Sequence, residues 1–115
     1  MNWQKITSVE DLAKINQLSN EQKILIFKHS TRCSISATAL GRLERNWQDE
    51  QAKDIIPYYL DLLSYKALSN QIADYYGVIH ESPQVLLIDG GKCVYNTSHL
   101  DINFSDIVKE ALALG

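Results

Sequence analysis

Lys23-Ile24-Leu25-Ile26-Phe27-Lys28-His29-Ser30-Thr31-Arg32-Cys33-Ser34-Ile35-Ser36 is the stretch that decides how this chain folds. Its unbroken apolar run predicts a strand over Lys23 to Ser30 that is buried on both faces. A polar Ser30-Thr31-Arg32 link follows. From about Cys33 to Trp47, Leu40, Leu43 and Trp47 recur at helical spacing, which predicts a helix. A strand that turns into a helix at this point puts Cys33 at the helix N-terminus. Unpaired backbone N–H groups and the positive end of the helix dipole there favour a thiolate over a thiol. Arg32 adds a fixed positive charge beside it. Cysteines in such settings are the reactive ones, so Cys33 is expected to be a nucleophile. An inert buried thiol is the plainer alternative, and the polar residues before Cys33 argue against it.

Working outward, Trp3 to Ile6 is expected to form a short edge strand. Ser8-Val9-Glu10-Asp11 has the pattern of a capping box that opens a helix to about Asn16, and Leu18 to Gln22 is expected to be a loop. Ile55 to Leu63 is a second apolar strand. Tyr65 to Tyr76 is a helix that Gly77 ends. Gln84–Ile88 and Lys92–Asn96 are strands joined through Asp89-Gly90-Gly91, a hairpin signal. Asn103 or Ser105 caps a last helix that runs to about Leu114. The order (β)αβαβαββα implies parallel pairs with an antiparallel hairpin at the edge. This is the layout of an α/β thioredoxin-like fold, a central mixed β-sheet flanked by helices, as a single domain over residues 1–115. Glu81-Ser82-Pro83-Gln84 agrees with it, because proline just before a strand suits a cis bond in a tight turn. Proteins of this fold place a cis-proline there, facing the reactive cysteine. The backbone of Ser82 is then free to pair with an extended peptide or a thiol ligand.

The chain has 115 residues, 45% apolar and 22% charged, with a net charge of −3. That length supports a core without disulfides or metals to staple it. The acidic balance argues against nucleic acid as the main partner, which would select a basic face. The first residues lack the apolar core of a secretory signal, and no apolar stretch approaches the ~20 residues needed to span a bilayer. A cytoplasmic monomer with no membrane partner is therefore expected. In a reducing compartment Cys33 and Cys93 are not expected to form a disulfide. His29, His80 and His99 do not have metal-site spacing, so no metal is expected. The Tyr58-Tyr59 and Tyr75-Tyr76 pairs are expected to pack in the core or at its rim.

The chemistry follows from Ser36. In a Cys-x-x-Cys motif the second thiol resolves the mixed disulfide formed by the first, and serine cannot do so. Attack by Cys33 on a protein mixed disulfide would leave the small thiol on Cys33, for a second thiol to remove. Ser36 can still donate a hydrogen bond toward the Cys33 sulfur, as can Thr31 or Ser34. Together with Arg32, these are the expected thiolate-stabilising residues. Cys93, just after the hairpin, lies at the far end of the sheet and is expected to be an ordinary strand residue.

Lys28 to Ser36, Glu81 to Ile88, and Gly91-Lys92-Cys93-Val94-Tyr95 followed by Ser98-His99 together resemble the monothiol bacilliredoxin family over nearly the whole chain. These small thioredoxin-fold proteins act with bacillithiol, a low-molecular-weight thiol. The resemblance implies an oxidoreductase that removes bacillithiol from S-bacillithiolated proteins, with Cys33 as nucleophile, bacillithiol as co-substrate and no tightly bound cofactor. Ser34 is a departure, since the family usually has proline after this cysteine; serine restores an N–H that proline lacks. In glutaredoxin-like members of the fold, the segment matching Thr97 to Asn103 binds the carboxylate of the small thiol. Ser98, His99 and Asp101, together with Ser82 and Pro83, are therefore the expected substrate-binding residues, with capping of the last helix as the plainer alternative for the segment from Thr97 to Asn103. The competing function is a binding or adaptor module in which the thiol is incidental. A dithiol reductase that uses Cys93 ranks below both.

Overall fold

The computed structural model describes residues 1–113. The elements are β1 (Gln4–Lys5), α1 (Val9–Leu18), β2 (Lys23–His29), α2 (Ser34–Asn46), β3 (Ile55–Asp61), α3 (Lys66–Tyr76), β4 (Gln84–Asp89), β5 (Lys92–Ser98), a 3-10 turn at His99–Asp101, and α4 (Phe104–Ala113). The expected end of the last helix at Leu114 lies outside the described residues. The strands form one sheet in the order β1-β3-β2-β4-β5. β1, β3 and β2 run parallel, and β4 is antiparallel to both β2 and β5. The hairpin thus extends the sheet, with β4 in its interior and β5 at its edge. This is a thioredoxin fold.

β2 and β4 are apolar on both faces because helices cover both sides of the sheet. Leu25 and Phe27 of β2 pack with Ala39 and Leu43 of α2 and with Ile107 and Ala111 of α4. Ile24 and Ile26 point the other way, toward Ile15 of α1 and Leu68 and Ile72 of α3. The period of two in the strand decides which residues go to which layer. Pro57 sits in β3 at no cost to the sheet: β1 pairs only with Tyr58 and Tyr59, so the edge beside Pro57 has no partner strand.

Several boundaries differ from the expected ones. α1 runs on to Leu18, because Ser19 N–H bonds to Ile15 O at 2.9 Å and the Ser19 hydroxyl donates to Asn16 O at 2.6 Å. β3 stops at Asp61, whose carboxylate accepts from Leu63 N–H and the Ser64 hydroxyl and so closes a turn. β5 reaches Ser98, and Asn103, not Ser105, caps α4 by accepting from Asp106 N–H at 2.8 Å. Gly90 and Gly91 both have positive φ, as a two-residue type I′ hairpin requires. Their N–H groups dock on Ser19 O and Ser19 Oγ.

Candidate active site

Strand register brings the site together. Lys28 of β2 pairs with Gln84 of β4, and Gln84 pairs with Ser98 of β5. His29 pairs with Asp61 of β3. Whatever follows β2, β3 and β5 and precedes β4 therefore gathers at one end of the sheet. These segments are Ser30 to Ser36, Leu62 to Ser64, Ser98 to Asp101, and Glu81 to Pro83.

Cys33 is the N-cap of α2. Its backbone is extended, its N–H bonds to Ser30 O at 3.1 Å, and its carbonyl accepts from Ala37 N–H at 3.0 Å. Its side chain makes no capping hydrogen bond and is partly exposed. Cys33 therefore stands at the start of α2 with an open side toward solvent. Ser34 is the first helical residue. Thr31, Arg32 and Ser34 are all exposed.

Ser36 corrects the expectation that its hydroxyl serves Cys33. The hydroxyl oxygen lies 2.6 Å from His29 Nδ1 and accepts from Ser30 N–H at 3.1 Å, and Ser36 is wholly buried. β2 delivers the His29 ring beneath the start of α2, between Phe27 and Tyr59. Burial pushes the pKa of His29 down, while the Asp61 and Glu44 carboxylates pull it back up.

The Ser82–Pro83 peptide is cis, and Pro83 is buried. Pro83 O accepts from His99 N–H at 2.9 Å. Ser82 makes no backbone hydrogen bond among the described residues, and its buried hydroxyl also lacks a partner. A buried unpaired hydroxyl offers a bond to whatever docks there.

Ser98, His99 and Asp101 fall in two adjoining elements, the end of β5 and the 3-10 turn that follows it. Ser98 ends β5, and its hydroxyl donates to the Glu81 carboxylate. His99 begins the 3-10 turn with φ of +57°, a left-handed conformation that costs a non-glycine residue about 1 kcal/mol or more. Arg42 of α2 straps this turn down by donating through Nη2 to Leu100 O at 2.6 Å and Ile102 O at 2.5 Å. Asp101 is exposed, and its negative charge opposes rather than assists the binding of a carboxylate.

Cys93 pairs with Ile88, which in turn pairs with Ile24 at the opposite end of the sheet from Cys33. A bulge between Leu87 and Ile88 turns Cys93 toward the α1–α3 face, and Tyr95 toward the other. Burial raises the pKa of the Cys93 thiol. Both cysteines are free.

Sequence reasoning missed two features. Arg42 is an ordinary helix residue until the turn beneath it is known. Lys28 had a visible signal, a charge inside an apolar strand. It is completely buried, donates to Ser69 O at 3.1 Å, and lies 3.3 Å from His80 Nδ1. Desolvation lowers its pKa to about 8. Among the described residues no group of His, Cys, Asp and Glu could hold a metal, and no helix is long and apolar enough to cross a membrane.

Comparison with known proteins matches this geometry. The family model described as "Monothiol bacilliredoxin BrxC" matches residues 4–107. A solved structure of a candidate oxidoreductase with a thioredoxin fold is 30% identical, with a TM-score of 0.77, covering 92% of this chain and 90% of that one. Thioredoxin from Malassezia sympodialis is 16% identical, with a TM-score of 0.74 and coverage of 96% and 90%. Thioredoxin from Trypanosoma brucei brucei is 11% identical, with a TM-score of 0.75 and coverage of 98% and 90%. The last two share the fold; the family and the first structure align with a thiol oxidoreductase role.

Proposed function

The chain belongs to the monothiol bacilliredoxin family, and from that premise we propose that it removes bacillithiol from protein mixed disulfides through Cys33. The observation that carries this reading is the pairing of a partly exposed Cys33 at the N-cap of α2 with a serine, not a thiol, three residues on. The Cys33 thiolate attacks the bacillithiol sulfur. A Cys33–bacillithiol disulfide forms, the protein–bacillithiol disulfide breaks, and the protein thiolate leaves and takes up a proton. A second bacillithiol thiolate then attacks the adduct, releasing oxidised bacillithiol and the Cys33 thiolate. Ser82 and Pro83 would align the incoming disulfide, with the free Ser82 backbone and hydroxyl as its partners. Ser98 and the turn at His99 would hold the acidic part of bacillithiol, with Asp101 at the rim. The setting for this exchange would be the reducing cytoplasm.

Intact mass after mixing the reduced protein with a bacillithiolated model protein tests this. One small thiol should move to Cys33 in the wild type and in Cys93→Ser, and none in Cys33→Ser. Transfer of glutathione but not bacillithiol would reassign the small thiol. No adduct from either would make a binding module the better account.

A further inference from the structure

Lys28 of β2 and Gln84 of β4 are paired across the sheet, so their side chains leave the same face side by side. Both are buried, and both reach the segment that leads from α3 into β4. Gln84 Nε2 donates to Ile79 O at 3.0 Å, and Gln84 Oε1 accepts from Glu81 N–H at 3.4 Å. His80, the residue between those two, brings its Nδ1 to 3.3 Å from Lys28 Nζ, which also donates to Ser69 O at 3.1 Å. An ammonium has three protons and no lone pair. Burial brings the Lys28 pKa down to about 8, so the amine is still charged at neutral pH. The ring nitrogen that meets it must then be bare, and the ring's one proton sits on Nε2. A second proton, on Nδ1, would set N–H against N–H across 3.3 Å, and neither group could accept from the other. The Gln84 bonds join neutral groups and carry no such sensitivity.

We propose that Lys28 and His80 form an acid-released latch on the segment that leads into Ser82: the Lys28 ammonium holds the ring while Nδ1 is bare, and a proton there expels the ring and frees the segment. The latch needs no ligand; its bearing on function rests on the reading that Ser82 aligns the incoming disulfide. The groups around the ring agree with the direction. Burial and the Lys28 ammonium push the His80 pKa down, and the Glu81 carboxylate, next in the chain and exposed, pulls it back up. Nδ1 is therefore bare at neutral pH and takes up its proton below the ordinary histidine value of 6.5. The charged ring then has water and Glu81 on its outer side, because His80 is partly exposed. The Ser69 hydroxyl also lies 3.3 Å from Nδ1, but a hydroxyl can turn from donor to acceptor. The Lys28 ammonium cannot, so Lys28 is what makes the proton expel the ring. On the alkaline side a neutral Lys28 keeps two N–H groups, enough for Ser69 O and Nδ1, and the latch holds.

The test follows the full chain by NMR from neutral pH well into the acid range. The His80 ring nitrogens report which of them carries the proton, and exchange of the Glu81 N–H, scaled to its intrinsic rate, reports the segment. At neutral pH the ring proton should be on Nε2. As His80 titrates, Glu81 exchange should speed up about tenfold, the scale of one lost hydrogen bond, while exchange in β2 and β3 stays as it was. His80→Gln offers an amide oxygen that accepts from Lys28 at every pH, so Glu81 exchange should remain slow in acid. Lys28→Met leaves the ring with the Ser69 hydroxyl, which accepts from a protonated Nδ1. In that variant the His80 midpoint should rise and the acid release should vanish. A ring proton on Nδ1 at neutral pH would overturn the proposal. So would a release that survives Lys28→Met or His80→Gln, or Glu81 exchange that ignores the His80 titration. No bacillithiol is used, so failed bacillithiol transfer with the release intact would reject the substrate and leave the latch standing.

Discussion

Ser34 and Lys28 show how single residues set the chemistry at the open end of the sheet. Ser34 is the first residue of α2, where proline is well tolerated because its N–H has no helical partner. Ser34→Pro should change stability by less than about 0.5 kcal/mol in urea unfolding. It would remove one N–H donor near the sulfur and so disfavour the reduced thiolate. Equilibration with a thiol redox buffer should show the potential fall by about 10–30 mV; a rise would contradict this role for the backbone. Lys28 acts differently, as a buried amine with Ser69 O and His80 Nδ1 for partners. The unfolded chain keeps this proton to about pH 10.5, and the folded chain releases it near 8. Between those values the unfolded state binds more protons, so stability rises with pH. Lys28→Met should be more stable than the wild type at pH 7, by up to about 3 kcal/mol. That gap should shrink as the pH rises from 8 to 9.5 in paired urea titrations, and a constant gap would reject the assignment.

The helices and strands owe their limits to capping groups that are partly legible in the sequence. At the start of α1 the Asp11 carboxylate accepts from Thr7 N–H and Ser8 N–H, and the Ser8 hydroxyl accepts from Asp11 N–H. These bonds, led by the Thr7 N–H, hold the Asp11 carboxyl below its ordinary pKa. Ser8→Ala should cost about 1 kcal/mol by thermal or urea unfolding. Gly77 ends α3 in the left-handed region at φ +67°, so Gly77→Ala should cost about 1 kcal/mol even though a methyl group there meets open space. Serine at a helix start and glycine at a helix end are local signals, and both were readable. The ends of β3 and β5 were not. Leu62 and Leu63 look as strand-like as Leu60, and only the Asp61 side chain folding back on Leu63 N–H stops the strand.

For the molecule as a whole, Arg42 joins the two halves of the site. It belongs to α2, which presents Cys33, yet its guanidinium holds the 3-10 turn that follows β5. That turn is bonded in turn to Pro83 O through His99 N–H. Arg42→Ala should cost about 1–2 kcal/mol of stability and speed hydrogen exchange at residues 99–103. If the turn holds the small thiol, transfer should weaken through KM more than through kcat; unchanged exchange at 99–103 would remove the strap from the argument. The sequence by itself determined the alternation of strands and helices, the burial of β2 on both faces, and the place of Cys33 at a helix start. Those depend on apolar periodicity and capping chemistry, which are local along the chain. Tertiary structure alone decided that the Ser36 hydroxyl faces His29 and that Arg42 holds the turn after β5. It also decided that Lys28 is buried against Ser69 and His80. Each of these joins residues on different elements, and which side chain fills a given hydrogen bond is settled only when the sheet register brings those elements together.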